Sequence, residues 1–267
     1  SISNSSLISL FSNQDSLQYP FLSVIGNNHS FDLSLYNISI KNSQEFTLLN
    51  ASGVSNITTD LIVIENSTIG NLFTINLNTS TINNPTMDYY MRRINITNSQ
   101  KRWNSTVNVT AFEDKSKSYI RWHFEDSFIF NNKFTKSNSS LCFFNINGLD
   151  LAFSNTHMAN NSWSGAHIID INVTTGSLFL EKSSFIDETY ASSYILNSRA
   201  GDSYNISSSS DTLIYRIVYI SGCTFSNLKL SAFATLFITD IPYVMLISNI
   251  FSSISHNMQT GMMAFIE

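Results

Sequence analysis

The residues best suited to chemistry are a loose set of carboxylates with one guanidinium: Glu125, Asp126 and Asp150 with Arg121, and Asp170 further on. Two carboxyl groups facing each other across a saccharide cleave a glycosidic bond, one as acid and the other as base or nucleophile. That chemistry requires convergence on neighbouring strands. These residues fall at different places in the repeat that organises the chain, so no catalytic residue is assigned. The chain is read as a non-enzyme, with a β-helical polysaccharide lyase or glycoside hydrolase as the alternative.

Metal and thiol chemistry are weakly represented. Asp32, Asp60 and Asp88, joined later by Asp150, each precede an apolar run. The plain reading is a set of exposed turn residues; stacked oxygen ligands for Ca²⁺ are the other. His29, His123, His157, His167 and His256 lack the paired spacing of a zinc site. No other metal and no cofactor is expected. Cys142 and Cys223 stand nearly three repeats apart, beyond the roughly 7 Å that a disulfide spans. Both are expected to be buried free thiols, with no disulfide.

Asn-x-Ser/Thr sequons are dense, and acceptors are expected at Asn28, Asn50, Asn56, Asn78, Asn104, Asn108, Asn138, Asn172 and Asn205. Further sequons begin at Asn4, Asn37, Asn66, Asn95 and Asn160. N-linked glycans imply an extracellular or cell-surface protein. Among the aromatics, Trp103, Trp122, Trp163, Tyr89 and Tyr90 are candidates for contact with glycans or surface proteins, Trp103 and Trp163 foremost.

Composition limits the partners. Across 267 residues only 12% are charged, the net charge is -5, and 43% are hydrophobic. That is enough apolar material for a large core and too little positive charge to hold a phosphate backbone, so nucleic acid is not expected. No uninterrupted apolar run is long enough for a membrane helix. With 9 Gly and 3 Pro, turns must be made by Asn and Ser.

These residues are set out by a repeat. The pattern apolar, x, apolar, polar cluster, then Ile/Phe/Met, x, Asn recurs over 32–42, 60–71, 88–98, 119–132, 150–160, 177–187, 215–227 and 243–253. Short β-branched or aromatic runs with period 2 follow each copy. One period from end to end predicts an all-β, single-domain parallel β-helix solenoid over residues 1–267, with about eight to nine coils of roughly 27 residues. Extra length near 99–118 and 199–211 is read as loop insertions. Ile40, Ile69, Ile96, Phe130, Met158, Phe185, Phe225 and Phe251 are expected to stack inward as the core ladder. Asn42, Asn71, Asn98, Asn132, Asn160 and Asn227, with Asp187 substituting once, are expected to form a structural turn ladder.

The pattern, clearest in His167 to Asn172 and Gly176 to Phe185, resembles pectin-lyase-like parallel β-helices and, among them, the repeats of polymorphic outer-membrane-type surface proteins. The resemblance implies a right-handed solenoid and a structural or adhesive surface role as a rod in a coat or fibre. The chain stops at Met262–Glu267 in mid-strand pattern. It is therefore expected to be a segment of a longer protein or a stacking subunit, whose partners are flanking coils or further copies of itself.

Overall fold

In the computed structural model the described residues are 2–3, 6–8, 20–25, 32–44, 46–52, 56–70, 72–77, 86–101, 107–111, 119–135, 141–147, 150–172, 177–199, 217–231, 234–239, 243–256 and 263–265. They form an all-β solenoid of stacked parallel strands, with no helix among them. Three sheets of 15, 7 and 9 strands run along the stack. One coil shows the plan. Asp150–Ser154 and His157–Ala159 lie in the first sheet, Ser162–Ser164 in the second and Ala166–Asn172 in the third. Each pairs in parallel with its equivalents one coil before and one coil after.

Alternation builds the core, because every second residue of a strand points to the same face. The inward column of the short strands runs Ile40, Ile64, Ile96, Ile129, Met158, Phe185, Phe225, Phe251. Aromatic rings stack along it, Phe185 on Phe225 at 5.1 Å and Phe225 on Phe251 at 4.9 Å. Two members of the expected ladder belong elsewhere. Ile69 is buried, but in the second sheet, in the column of Lys101, Phe134, Trp163 and Tyr190. Phe130 points outward and is 37% exposed, while Ile129 takes the inward place. A shift of one residue exchanges the two faces of a strand.

Corners are made by residues with left-handed backbone. The corner within the first sheet carries positive φ at Asn37, Leu61, Arg93, Asp126, Asn155, Lys182, Gly222 and Ser248. The next corner carries it at Asn42, Asn66, Asn98, Asn131, Asn160, Asp187, Asn227 and Ser253. Asn and Asp tolerate this conformation better than other residues bearing a Cβ. The turn ladder therefore passes through Asn66, and through Asn131 in place of the expected Asn132. Asn71 lies outside the described residues, and Asn132 is buried. Amides link the column, with Asn131 Nδ2 donating to Asn98 Oδ1 at 2.7 Å and Asn160 Nδ2 to Asn131 Oδ1 at 3.1 Å.

Leu61 holds φ 56° without a side chain that helps it do so. Leu61→Asn is expected to raise stability by about 1 kcal/mol, read as a higher urea midpoint at unchanged m-value. An unchanged or lower midpoint would show that packing of the leucine outweighs its backbone strain.

The residue after a corner turns inward, and at many corners it is polar, which the repeat pattern did not disclose; at Ile38, Ile62, Ile94 and Leu228 it is apolar. At the second corner Ser67, Ser99, Asn132, Asn161 and Glu188 are all buried. Each accepts a hydrogen bond from the backbone N–H one coil earlier: Ser43 to Ser67, Ser67 to Ser99, Ser99 to Asn132, Asn132 to Asn161, and Asn161 to Glu188. Ser127, Ser183 and Asn249 do the same at the first corner, serving Ile94, Thr156 and Cys223. These internal ladders satisfy amides that turn away from the sheets where the strands break. Cys223 follows a corner too and is a buried free thiol, with Sγ 3.5 Å from Leu180 O and 3.4 Å from Ser221 O. Burial pushes its pKa up, which makes it a poor nucleophile. The side chain of Cys142 lies outside the described residues.

Of the expected insertions, 99–118 contains the strands Gln100–Lys101 and Val107–Ala111, and 200–211 lies outside the described residues.

Candidate functional site

The first sheet's outer face gathers charged and aromatic groups. Parallel register sets Tyr90 beside His123, Arg92 beside Glu125, and Arg121 between Asp88 and Asp150. The Tyr90 and His123 rings stack at 4.5 Å, 16° apart. Arg92 holds its guanidinium 4.3 Å from the Tyr90 ring centre and donates from Nε to Glu125 Oε2 at 3.0 Å. His123 Nδ1 is 3.3 Å from Glu125 Oε1. One coil along, Arg121 lies 3.8 Å from Asp150 and 4.9 Å from the Phe179 ring centre. The result is a strip of flat rings edged by cross-coil ion pairs.

Electrostatics on this face are largely self-neutralised. Arg93 grips Asp60 with both Nε and Nη2, the Nε bond at 2.7 Å, and this pairing holds the Asp60 carboxyl below its ordinary pKa. Burial raises Asp150 instead, partly offset by the Ser177 backbone N–H at 2.7 Å and by Arg121. Lys41 and Glu65 form another exposed cross-coil pair at 2.8 Å. Such pairs contribute little to stability singly.

The carboxylates singled out from sequence do not meet. Glu125 and the Asp150 position lie four residues apart along adjacent strands, since Asp150 sits opposite Arg121. At a rise of about 3.3 Å per residue that is roughly 13 Å, beyond the roughly 5–9.5 Å of glycosidase carboxyl pairs. Asp126 occupies a corner and accepts from Asn155 Nδ2 at 2.7 Å, and Asp170 belongs to the third sheet. The expected aspartate column also separates. Asp32 registers with Asn56, Asp60 with Tyr36 and Arg92, and Asp88 with Arg121, so Asp32, Asp60 and Asp88 do not stack as ligands. Among the described residues no three His, Cys, Asp or Glu side chains gather around a common point.

Of the aromatic candidates, Tyr89, Trp122 and Trp163 are core residues. Tyr89 stacks on Trp122 at 5.5 Å, and Trp163 on Phe134 at 4.1 Å. Trp103 lies outside the described residues. Tyr90 stands on the outer face, and its partner His123 carried no signal in the sequence beyond its place on an alternating strand.

Among the expected sequon acceptors, Asn50 is exposed on the third sheet. Asn56, Asn108 and Asn172 lie in strands, and Asn28, Asn78, Asn104, Asn138 and Asn205 lie outside the described residues. Asn37, Asn66 and Asn160 are exposed at corners. Asn66 also lines a polar groove with Thr68, Asn98, Gln100, Asn131 and Lys133.

No family model, no curated protein and no solved structure matches this chain.

Proposed function

We propose that this chain is a stretch of an extracellular structural or adhesive glycoprotein, a rigid rod belonging to a surface coat or fibre. The observation that carries this reading is the uninterrupted stack. Three parallel sheets share one continuous core along the described length, and a body of that kind resists bending and presents its side faces as long, regular surfaces. The outer strip of Tyr90, His123, Arg92 and Glu125 suits contact with a glycan or a surface protein, because ring faces and paired charges recognise both. Asn50 and the corner asparagines of the Asn37 and Asn66 sequons are exposed, as glycan acceptors must be. A right-handed coil of the pectin-lyase-like kind, close to polymorphic outer-membrane-type repeats, is part of this proposal. So is assembly with flanking coils or further copies.

A polysaccharide-cleaving enzyme draws less support from the same surface. Glu125 is engaged by Arg92 and His123, and Asp150 by Arg121 and Ser177, and among the described residues no second carboxyl is placed across a substrate from either.

Natively purified protein tests the proposal through glycopeptide mass spectrometry with glycosidase treatment, alongside negative-stain imaging. Occupied sequons, Asn50 among them, on elongated particles or filaments are expected. Unmodified asparagines on discrete particles that cleave acidic polysaccharide would sink the structural reading in favour of the enzymatic one.

A further inference from the structure

The second corner builds a trough along the stack. A corner asparagine and the residue two places on lie outward, while the residue between them turns inward. Over three coils one wall is Asn66, Asn98 and Asn131, and the other is Thr68, Gln100 and Lys133, which register with one another. Ser67 and Ser99 lie on the floor. The volume is about 300 Å³, at the lower end for a small-ligand site. Described coils stand on both sides, with Asn42 before and Asn160 after, so the groove is not a product of where the stack stops.

Hydrogen bonding along the walls is uneven. Asn160 Nδ2 donates to Asn131 Oδ1 and Asn131 Nδ2 to Asn98 Oδ1, and there the amide column ends. Among the described residues, neither the Asn66 carboxamide nor Asn98 Nδ2 has a hydrogen-bond partner. On the other wall Gln100 Nε2 donates to Thr68 Oγ1 at 3.1 Å, and the exposed Lys133 makes no ion pair among the described residues. No carboxylate lines the groove. Two free donors, Asn98 Nδ2 and Lys133 Nζ, therefore stand in the same groove as a free asparagine amide.

Asn66 also opens the sequon Asn66-Ser-Thr68, which makes a sugar acceptor part of the wall itself. Of the asparagines at this corner, only Asn66 and Asn160 begin sequons, and Asn160 Nδ2 is tied to Asn131. We propose that Asn66 carries an N-linked glycan whose first sugar, an N-acetylhexosamine, lies in this groove. A lipid-linked oligosaccharide diphosphate supplies it: the bond from Nδ2 to the sugar C1 forms, the C1–O bond to the diphosphate breaks, and Nδ2 gives up one proton. The acetamido carbonyl of the sugar accepts from Asn98 Nδ2 and Lys133 Nζ, and its hydroxyls meet the Gln100 and Thr68 side chains. Attachment at the wall keeps the sugar close, so individually weak bonds suffice to seat it. The seat rests on the glycoprotein reading above and gives one glycan a defined place on the rod.

Timed digestion of the native glycoprotein with peptide N-glycosidase, followed by site-resolved mass spectrometry, tests it against Asn50, which is exposed on the third sheet. The Asn66 glycan is expected to leave about tenfold more slowly than the Asn50 glycan, because the enzyme reaches it only when the sugar is out of the groove. Denaturation should abolish the difference. Lys133→Ser and Gln100→Ser, each made in a glycosylating host, leave the sequon intact and are expected to bring the Asn66 rate toward that of Asn50. Lys133 is exposed, so its variant carries the comparison should Gln100→Ser disturb the fold by circular dichroism. Equal release at the two sites in the wild type overturns the seat. So does slow release that both variants leave unchanged, which would place the protection in the corner backbone. An unmodified Asn66 beside an occupied Asn50 overturns the seat and leaves the glycoprotein reading standing, whereas an absence of glycan at every sequon overturns both.

Discussion

Glu188→Gln is expected to flatten the pH dependence of stability between pH 4.5 and 8. Glu188 is a buried acid at the end of the inner ladder of the second corner. It accepts from the Asn161 backbone N–H at 3.2 Å, from Asn161 Nδ2 at 2.7 Å and from Trp163 Nε1. Burial dominates and lifts its pKa from 4.5 to about 8, against the lowering effect of the Trp163 and Asn161 hydrogen bonds; Asp187 adds a small push upward. Tyr190 also feels the Glu188 charge, though its own rise comes mainly from burial.

A folded pKa above the unfolded one means that folding takes up a proton anywhere between the two. The stability tied to that proton is fully present below pH 4.5 and is lost as pH rises through 8. The window corresponds to a loss on the order of 4 kcal/mol at most. The glutamine variant has no proton to lose, but its single carbonyl oxygen cannot serve both Asn161 and Trp163, which costs about 1–2 kcal/mol at low pH. The two stability curves should therefore cross, wild type ahead at about pH 5 and Glu188→Gln ahead at about pH 8. Urea midpoints at those two values decide it. Parallel curves would mean that Glu188 keeps its charge, or loses its proton, equally in both states.

Lys101 runs the other way. Its ammonium nitrogen is buried against Gly70 O, and burial lowers its pKa well below 10.5. Stability tied to this group is fully present above 10.5 and falls away as pH drops toward the folded value. The two groups therefore have to be separated by mutation and not by pH alone.

Phe185→Ala is expected to cost about 3–5 kcal/mol, enough to threaten folding of the coils around it. Phe185 is fully buried and sits mid-column, 5.1 Å from Phe225 and 6.4 Å from Phe153. Its neighbours belong to parallel strands and cannot slide inward to fill the cavity without breaking ladder hydrogen bonds. Phe130→Ala makes the contrast, since that ring is outward and half-exposed; its cost should stay below about 1 kcal/mol. Equal losses in the two variants, measured by chemical denaturation, would restore Phe130 to the core column and reject the register that turns Ile129 inward.

Much of the architecture was legible because a β-solenoid writes itself locally. Each coil repeats the same alternation, so Leu178-Phe-Leu180 and Val218-Tyr-Ile220 announce strands and inward positions independently. Asparagine at the second corner was visible at Asn42, Asn98, Asn160 and Asn227, because few other residues accept a left-handed backbone there.

Where two candidates stood side by side, the sequence offered no preference between them. Asn131 and Asn132, or Ile129 and Phe130, satisfy the same local pattern, and only pairing with strands about thirty residues away assigns one inward and its neighbour outward. The inner polar ladder was missed for the same reason. Ser67, Ser99, Asn132 and Asn161 look like turn residues in isolation, and become a hydrogen-bonded column only when the coils stack.

Composition and periodicity by themselves determined an all-β stacked solenoid with Asn-built turns, since those properties depend on what each residue prefers. The tertiary structure alone decided which charges pair and which aromatic reaches the surface. Those outcomes rest on register between coils, and a slip of a single residue would exchange the two faces of every strand.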